Sequence, residues 1–232
     1  MLLSGGGLVA GAAAASAGWA LSTRPAAEPG PAVIPPDDDL MREHGVLKRV
    51  LLCYREMIAR VQAGGPMDAQ DLHDAALIIH DYIEGFHEGL EEGFVFPRLV
   101  KAGRLVGTVT TLLVQHARGR VITQFLLRGA TAKGVASPGA AASLAAAMQA
   151  FDRMYEPHEA REDTVVFPAF RQITPAAELT DLGQYFADLE HQQFGTDEFA
   201  AMVARVASIE RNLGIYDLAR FTPQIGQYLP PA

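Results

Sequence analysis

An eleven-residue pattern occurs twice in this chain, 71 residues apart: His87-Glu88-Gly89-Leu90-Glu91-Glu92-Gly93-Phe94-Val95-Phe96-Pro97 and His158-Glu159-Ala160-Arg161-Glu162-Asp163-Thr164-Val165-Val166-Phe167-Pro168. Both copies read HExxE and end in VFP. Each follows, at nearly the same distance, a lone histidine on an apolar helical segment: His44 lies 43 residues before His87, and His116 lies 42 before His158. The repeating unit is therefore a pair of helices. A His and a Glu four residues apart project from one face of a helix, so two such pairs can meet around one internal site.

Apolar spacing places these motifs on helices throughout, with strand signals nearly absent. Asp37, Asp38 and Asp39 supply the cap and first turn of a helix to about residue 63, along which Leu47, Leu51, Tyr54 and Ile58 share a face with His44. Gly64-Gly65-Pro66 interrupts it. A second helix is predicted over 68–100, with Pro97 ending or kinking it. A third spans 104–129, burying Leu112, Leu113 and Leu126 beside His116 and stopping at Gly129. A fourth runs over 138–173, with Pro157 kinking it or starting a new segment just before His158. The tail, 174–232, contains no copy of the repeat and reads as extra helices around 179–191 and 197–212. The expected fold is all-α: an up-down four-helix bundle over 38–173 with additional C-terminal helices.

The chemistry follows from what that bundle encloses. Four imidazoles (His44, His87, His116, His158) and two carboxylates (Glu91, Glu162) suit iron, manganese or zinc better than calcium or magnesium, which prefer oxygen donors alone. One HxxxE pair proves little, since such pairs occur on solvated helix faces. Two copies with the same tail, each preceded by an inward histidine, change that. Burying six ionisable groups without a cation would cost several kcal/mol of desolvation.

At these residues the chain resembles the hemerythrin-like, or HHE cation-binding, domains. The similarity covers about 38–173: a His on the first helix, HxxxE with a following FP on the second, a His on the third, and HxxxE with FP on the fourth. The resemblance implies a bundle around a non-haem di-iron centre, with Glu91 and Glu162 bridging. His44 and His87 would bind one iron, His116 and His158 the other. Oxygen-carrying members have a fifth histidine one turn after the third-helix one, and here that position is Arg120. Either a coordination position is open to water or a small molecule, or Glu88 or Glu159 fills it. The implied function is binding or sensing of oxygen, nitric oxide or redox state rather than reversible oxygen carriage. Reduction of peroxide or nitric oxide, oxidation of ferrous iron, and iron storage or delivery are the alternatives, with manganese or zinc as substitute metals.

Other features bound the reading. His80 and Glu84 also spell HxxxE, but without a VFP tail or a counterpart in the second half, and are expected to support ligands by hydrogen bonds or to be solvated. His73 is expected to be exposed, His191 structural, and Arg120 a partner for Glu88 or Glu159. A single cysteine, Cys53, excludes an intrachain disulfide and thiolate clusters, and reads as a small core residue. A net charge of -8 argues against a nucleic-acid partner. Neither HExxE copy is a zinc-protease signature, because the second histidine is missing. Residues 1–23 carry no charge and include Ala15-Ser16-Ala17, reading as an export signal or, if retained, a membrane tether. Residues 24–37 are a Pro/Ala/Gly-rich linker. The expected location is exported, in the bacterial periplasm, or membrane-tethered.

Overall fold

In the first helix, α1 (Pro36–Gln62), Pro36 takes a first-turn position where its missing N–H costs nothing, and three aspartates follow it at the positive end of the helix dipole. The structure, a computed structural model, describes residues 33–195 and 198–225. The expected export segment and most of the linker lie outside them. Leu40, His44, Leu47, Leu51 and Tyr54 are buried along α1.

The second helix, α2, spans residues 69–101, and Asp68 caps it by accepting from the N–H groups of Gln70 and Asp71. It is continuous but not uniform: Ile78–His87 and Glu91–Val95 are wound as π-helix. Pro97 does not end it. The helix continues through Phe96–Lys101, with Pro97 in the first turn after the π-turn Glu91–Val95, where a missing N–H is tolerated.

The third helix is α3 (Val106–Gly129). Its buried stripe is Val109, Leu112, His116, Gly119, Thr123 and Leu126, while Leu113 is exposed; one residue beyond Leu112, it is rotated about 100° away from the core. Gly129 is the last residue of the helix, where close packing leaves no room for a side chain. A Cβ there would lie 2.5 Å from a methyl of Leu144. After a short turn at Ala132–Ala136, the fourth helix, α4, spans 138–173 and consists of Pro138–Arg161, a π-turn at Glu162–Val166, and Phe167–Ile173. It continues through Pro157 without starting a new segment, and both Pro157 and Arg153, whose carbonyl the proline leaves without its helical partner, are exposed residues.

Helices α1 to α4 pack cyclically, each against its two neighbours, as an up-down four-helix bundle. Two further helices, α5 (Ala176–Phe194) and α6 (Glu198–Asn212), lie against α1 and α2. Arg49 donates to Glu210 at 2.9 Å, Asn212 to Asp71 at 2.8 Å, and Phe194 packs on Tyr82 and Phe86. Among the described residues there is no strand, and no helix is long and apolar enough to cross a membrane.

Candidate metal centre

The bundle brings all six inward residues of the repeat together and buries each of them: His44, His87, Glu91, His116, His158 and Glu162 are at most 4% exposed. They form two clusters of potential ligand atoms, His44 with His87 and Glu91, and His116 with His158 and Glu162. Glu91 joins them. One of its oxygens lies 3.7 Å from His87 Nε2 and the other 3.5 Å from His116 Nε2. Glu162 Oε2 lies between His158 Nε2 at 3.1 Å and His44 Nε2 at 3.5 Å.

Every imidazole is held from outside. His44 Nδ1 meets Asp163 at 2.7 Å, His87 Nδ1 meets Glu43 at 2.7 Å, His116 Nδ1 meets Glu92 at 2.9 Å, and His158 Nδ1 meets the Gln115 amide oxygen at 2.9 Å. Carboxylate and amide oxygens only accept, so opposite Asp163, Glu92 and Gln115 Nδ1 carries the proton, and the lone pair of a neutral ring sits on Nε2. Glu92 and Asp163 each directly follow the glutamate of their HxxxE pair. That repeated acidic position was visible in the sequence but not assigned.

The donor set fits a cation. All four oxygens of Glu91 and Glu162 are buried without a hydrogen-bond partner. His116 Nε2 and His158 Nε2 stand 3.2 Å apart, two inward nitrogens facing each other. Buried polar atoms are normally satisfied, and six nitrogen and oxygen donors converging this way need positive charge between them. Burial, together with the adjacent His44, His116 and His158 rings, holds His87 well below the usual histidine range, so it is neutral. Burial also lowers His44, but the Asp163 hydrogen bond and nearby Glu162 outweigh it and raise its pKa. Burial and the facing Glu162 carboxylate push Glu91 well above the ordinary carboxyl range. A divalent cation would relieve both repulsions.

The remaining candidates occupy other places. Glu159 is engaged by Lys48. Glu88 accepts from the Tyr155 hydroxyl at 2.6 Å and pairs with Arg120 at 2.7 Å, and with Glu92 it stands beside the outer edge of His116. Arg120 therefore pairs with Glu88, and also with Glu92 at 2.7 Å. His80 is half-exposed beside Asp81, while Glu84 is buried and accepts from Thr123 at 2.6 Å; among the described residues no hydrogen bond or ion pair joins either to the six clustered residues. His73 is half-exposed, and His191 is exposed in the last turn of α5 rather than built into the core. Cys53 is a buried core residue whose thiol is pushed up to about 12 by desolvation.

Comparison with known proteins agrees with this geometry. The hemerythrin HHE cation binding domain matches residues 36–169. Uncharacterized proteins of Mycobacterium tuberculosis and Mycobacterium bovis are 51% identical over 186 residues, covering 80% of this chain and 73% of each relative. No solved structure matches the chain. The doubled motif, the four-helix bundle and the two histidine-carboxylate clusters make this chain a member of the hemerythrin HHE cation-binding domain family.

Proposed function

We propose that the bundle holds two iron ions and acts as a binding or sensing protein for oxygen, nitric oxide or redox state. The observation that carries this reading is Glu91, whose two oxygens face histidines of different clusters. His44 and His87 would hold one ion and His116 and His158 the other, with Glu91 and Glu162 between them. Imidazole and carboxylate together suit iron, which supplies one-electron chemistry and affinity for small diatomic molecules. Asp163, Glu43, Glu92 and Gln115 keep the four rings oriented. Arg120, one turn after His116, has no lone pair to offer, and its ion pairs with Glu88 and Glu92 hold it beside the site. That favours sensing or redox work over reversible oxygen carriage. The uncharged residues 1–23 support an exported, periplasmic or membrane-tethered location.

A surface cleft between α3 and α4, lined by Thr111, Gln115 and Arg161, reaches His158 and favours a second reading, turnover of a small molecule such as peroxide or nitric oxide. Stopped-flow optical spectra of the loaded protein separate the two: a stable adduct marks binding, and repeated turnover with a reductant marks catalysis. Metal analysis after purification without added ions tests both. The expected result is two equivalents of iron per chain, lost in Glu91→Ala; stoichiometric zinc, or no metal, overturns the di-iron reading.

A further inference from the structure

We infer that the outer face of α3 is a docking surface for an anionic lipid bilayer. The chain's net charge of -8 hides a strong segregation. Residues 93–151 contain no Asp or Glu while carrying seven Arg and Lys, so the acidic excess lies entirely elsewhere. Helix α3 occupies the middle of that stretch. An ordinary surface helix is apolar towards the core and polar outwards; α3 is apolar on both sides. Opposite its core stripe of Leu112, His116, Thr123 and Leu126, three large side chains stand in solvent: Val114 at 52% exposure, Val121 at 67% and Phe125 at 42%. At 100° per residue they fall within about 40° of one another.

Arg118 and Arg128 flank this stripe, both exposed, and neither has an acidic partner among the described residues. Exposed Lys101 precedes the helix and exposed Lys133 follows it. Aliphatic and aromatic groups bordered by cations match the boundary between acyl chains and anionic headgroups. Charge also selects among other occupants. A second copy docking through the same face about a twofold axis would bring Arg118 and Arg128 towards their own symmetry mates. The uncharged residues 1–23 of the chain offer the arginines nothing. Phosphate backbones would leave Val121 and Phe125 without a use.

Flotation of the full chain with vesicles of phosphatidylcholine, and of phosphatidylcholine mixed with phosphatidylglycerol, tests the inference. The expected result is binding to the anionic vesicles only, weakened by salt. Arg118→Gln with Arg128→Gln should weaken it roughly thirtyfold, at about 1 kcal/mol per charge. Val121→Glu with Phe125→Glu should abolish it, with helical circular dichroism unchanged because these positions are exposed. Failure to bind, equal binding to neutral vesicles, or binding kept by both variants overturns the inference. So does a parent dimer that Val121→Glu makes monomeric, which would give the face to a second copy, or capture by an acidic protein in place of lipid.

Discussion

At the scale of single residues, the six buried donors were legible because helical geometry makes a His and a Glu four apart share a face, and because the chain repeats the pair. Their outer partners were not. Asp163 reaches His44 across 119 residues of chain and Glu43 reaches His87 across 44, and only packing creates such pairs. Glu84 shows the same limit. Its HxxxE spacing pointed to a ligand-supporting or solvated role, yet the side chain turns from His80 to Thr123 and is buried. Desolvation pushes its pKa from 4.5 to about 7, against the Thr123 hydrogen bond. Between those values the folded protein keeps a proton that the unfolded chain has released, so this group lowers stability as pH rises from about 4.5 through 7. Glu84→Gln keeps an acceptor for Thr123 and has no charge to desolvate. Relative to the parent it should gain stability, by about 2 kcal/mol, as pH rises from 5 to 8. Urea unfolding at both pH values checks this; an equal difference at both means that Glu84 is ionised without penalty.

At the scale of elements, the four bundle helices and both tail helices were predicted within a few residues, because apolar periodicity and the Gly-Pro breaks mark them. The π-turns were not predicted, and they explain the VFP tail. In an α-helix, the fifth residue after Glu91 would point about 140° away from it. In the π-turn Glu91–Val95, closed by the Phe96 N–H donating to the Glu91 carbonyl, five residues make little more than one turn and return Phe96 to the inner face. There it stacks on His116 at 5.6 Å. The second copy does the same: the Phe167 N–H donates to the Glu162 carbonyl, and the Phe167 ring stacks on His44 at 5.6 Å. Each Phe thus braces the lone histidine of the other helix pair, which ties the two copies of the repeat to one another. Gly119 belongs to the same packing; a Cβ there would sit 2.2 Å from the Tyr155 hydroxyl. Phe96 and Phe167 are at most 2% exposed, so Phe96→Ala should cost about 3–5 kcal/mol in chemical denaturation. The same residue replaced by Leu should cost clearly less. Equal losses for both would mean that ring stacking on His116, rather than filled volume, is what Phe96 supplies.

At the scale of the whole molecule, the tail proves to be part of the centre's outer wall, which the repeat could not foretell because the tail has no copy of it. Phe186 and Val206 of the tail helices are fully buried, and Phe194 packs on Tyr82 and Phe86 of α2, five residues and one residue before His87. Arg42 on α1 stacks over Phe199 at 4.3 Å. Beneath this cover lies Glu43, fully buried, the partner that orients His87. Burial first, and then nearby Asp39 and Glu190, raise the Glu43 pKa well above the ordinary range, so it stays in a dry position only while the tail keeps water out. A chain ending at Thr174 should therefore lose more than stability. Glu43 would become hydrated, its hold on His87 would loosen, and metal affinity should fall roughly 10- to 100-fold. Phe194→Ala makes the same test without removing the tail, and should weaken metal binding in the same direction by a smaller factor. Competition with a chelator gives the affinity, and urea unfolding with and without metal gives the linked stability, worth about 4 kcal/mol at a thousandfold excess over the dissociation constant. Parental metal affinity in both variants, with only stability reduced, would make the tail a brace for the bundle and nothing closer to the metal.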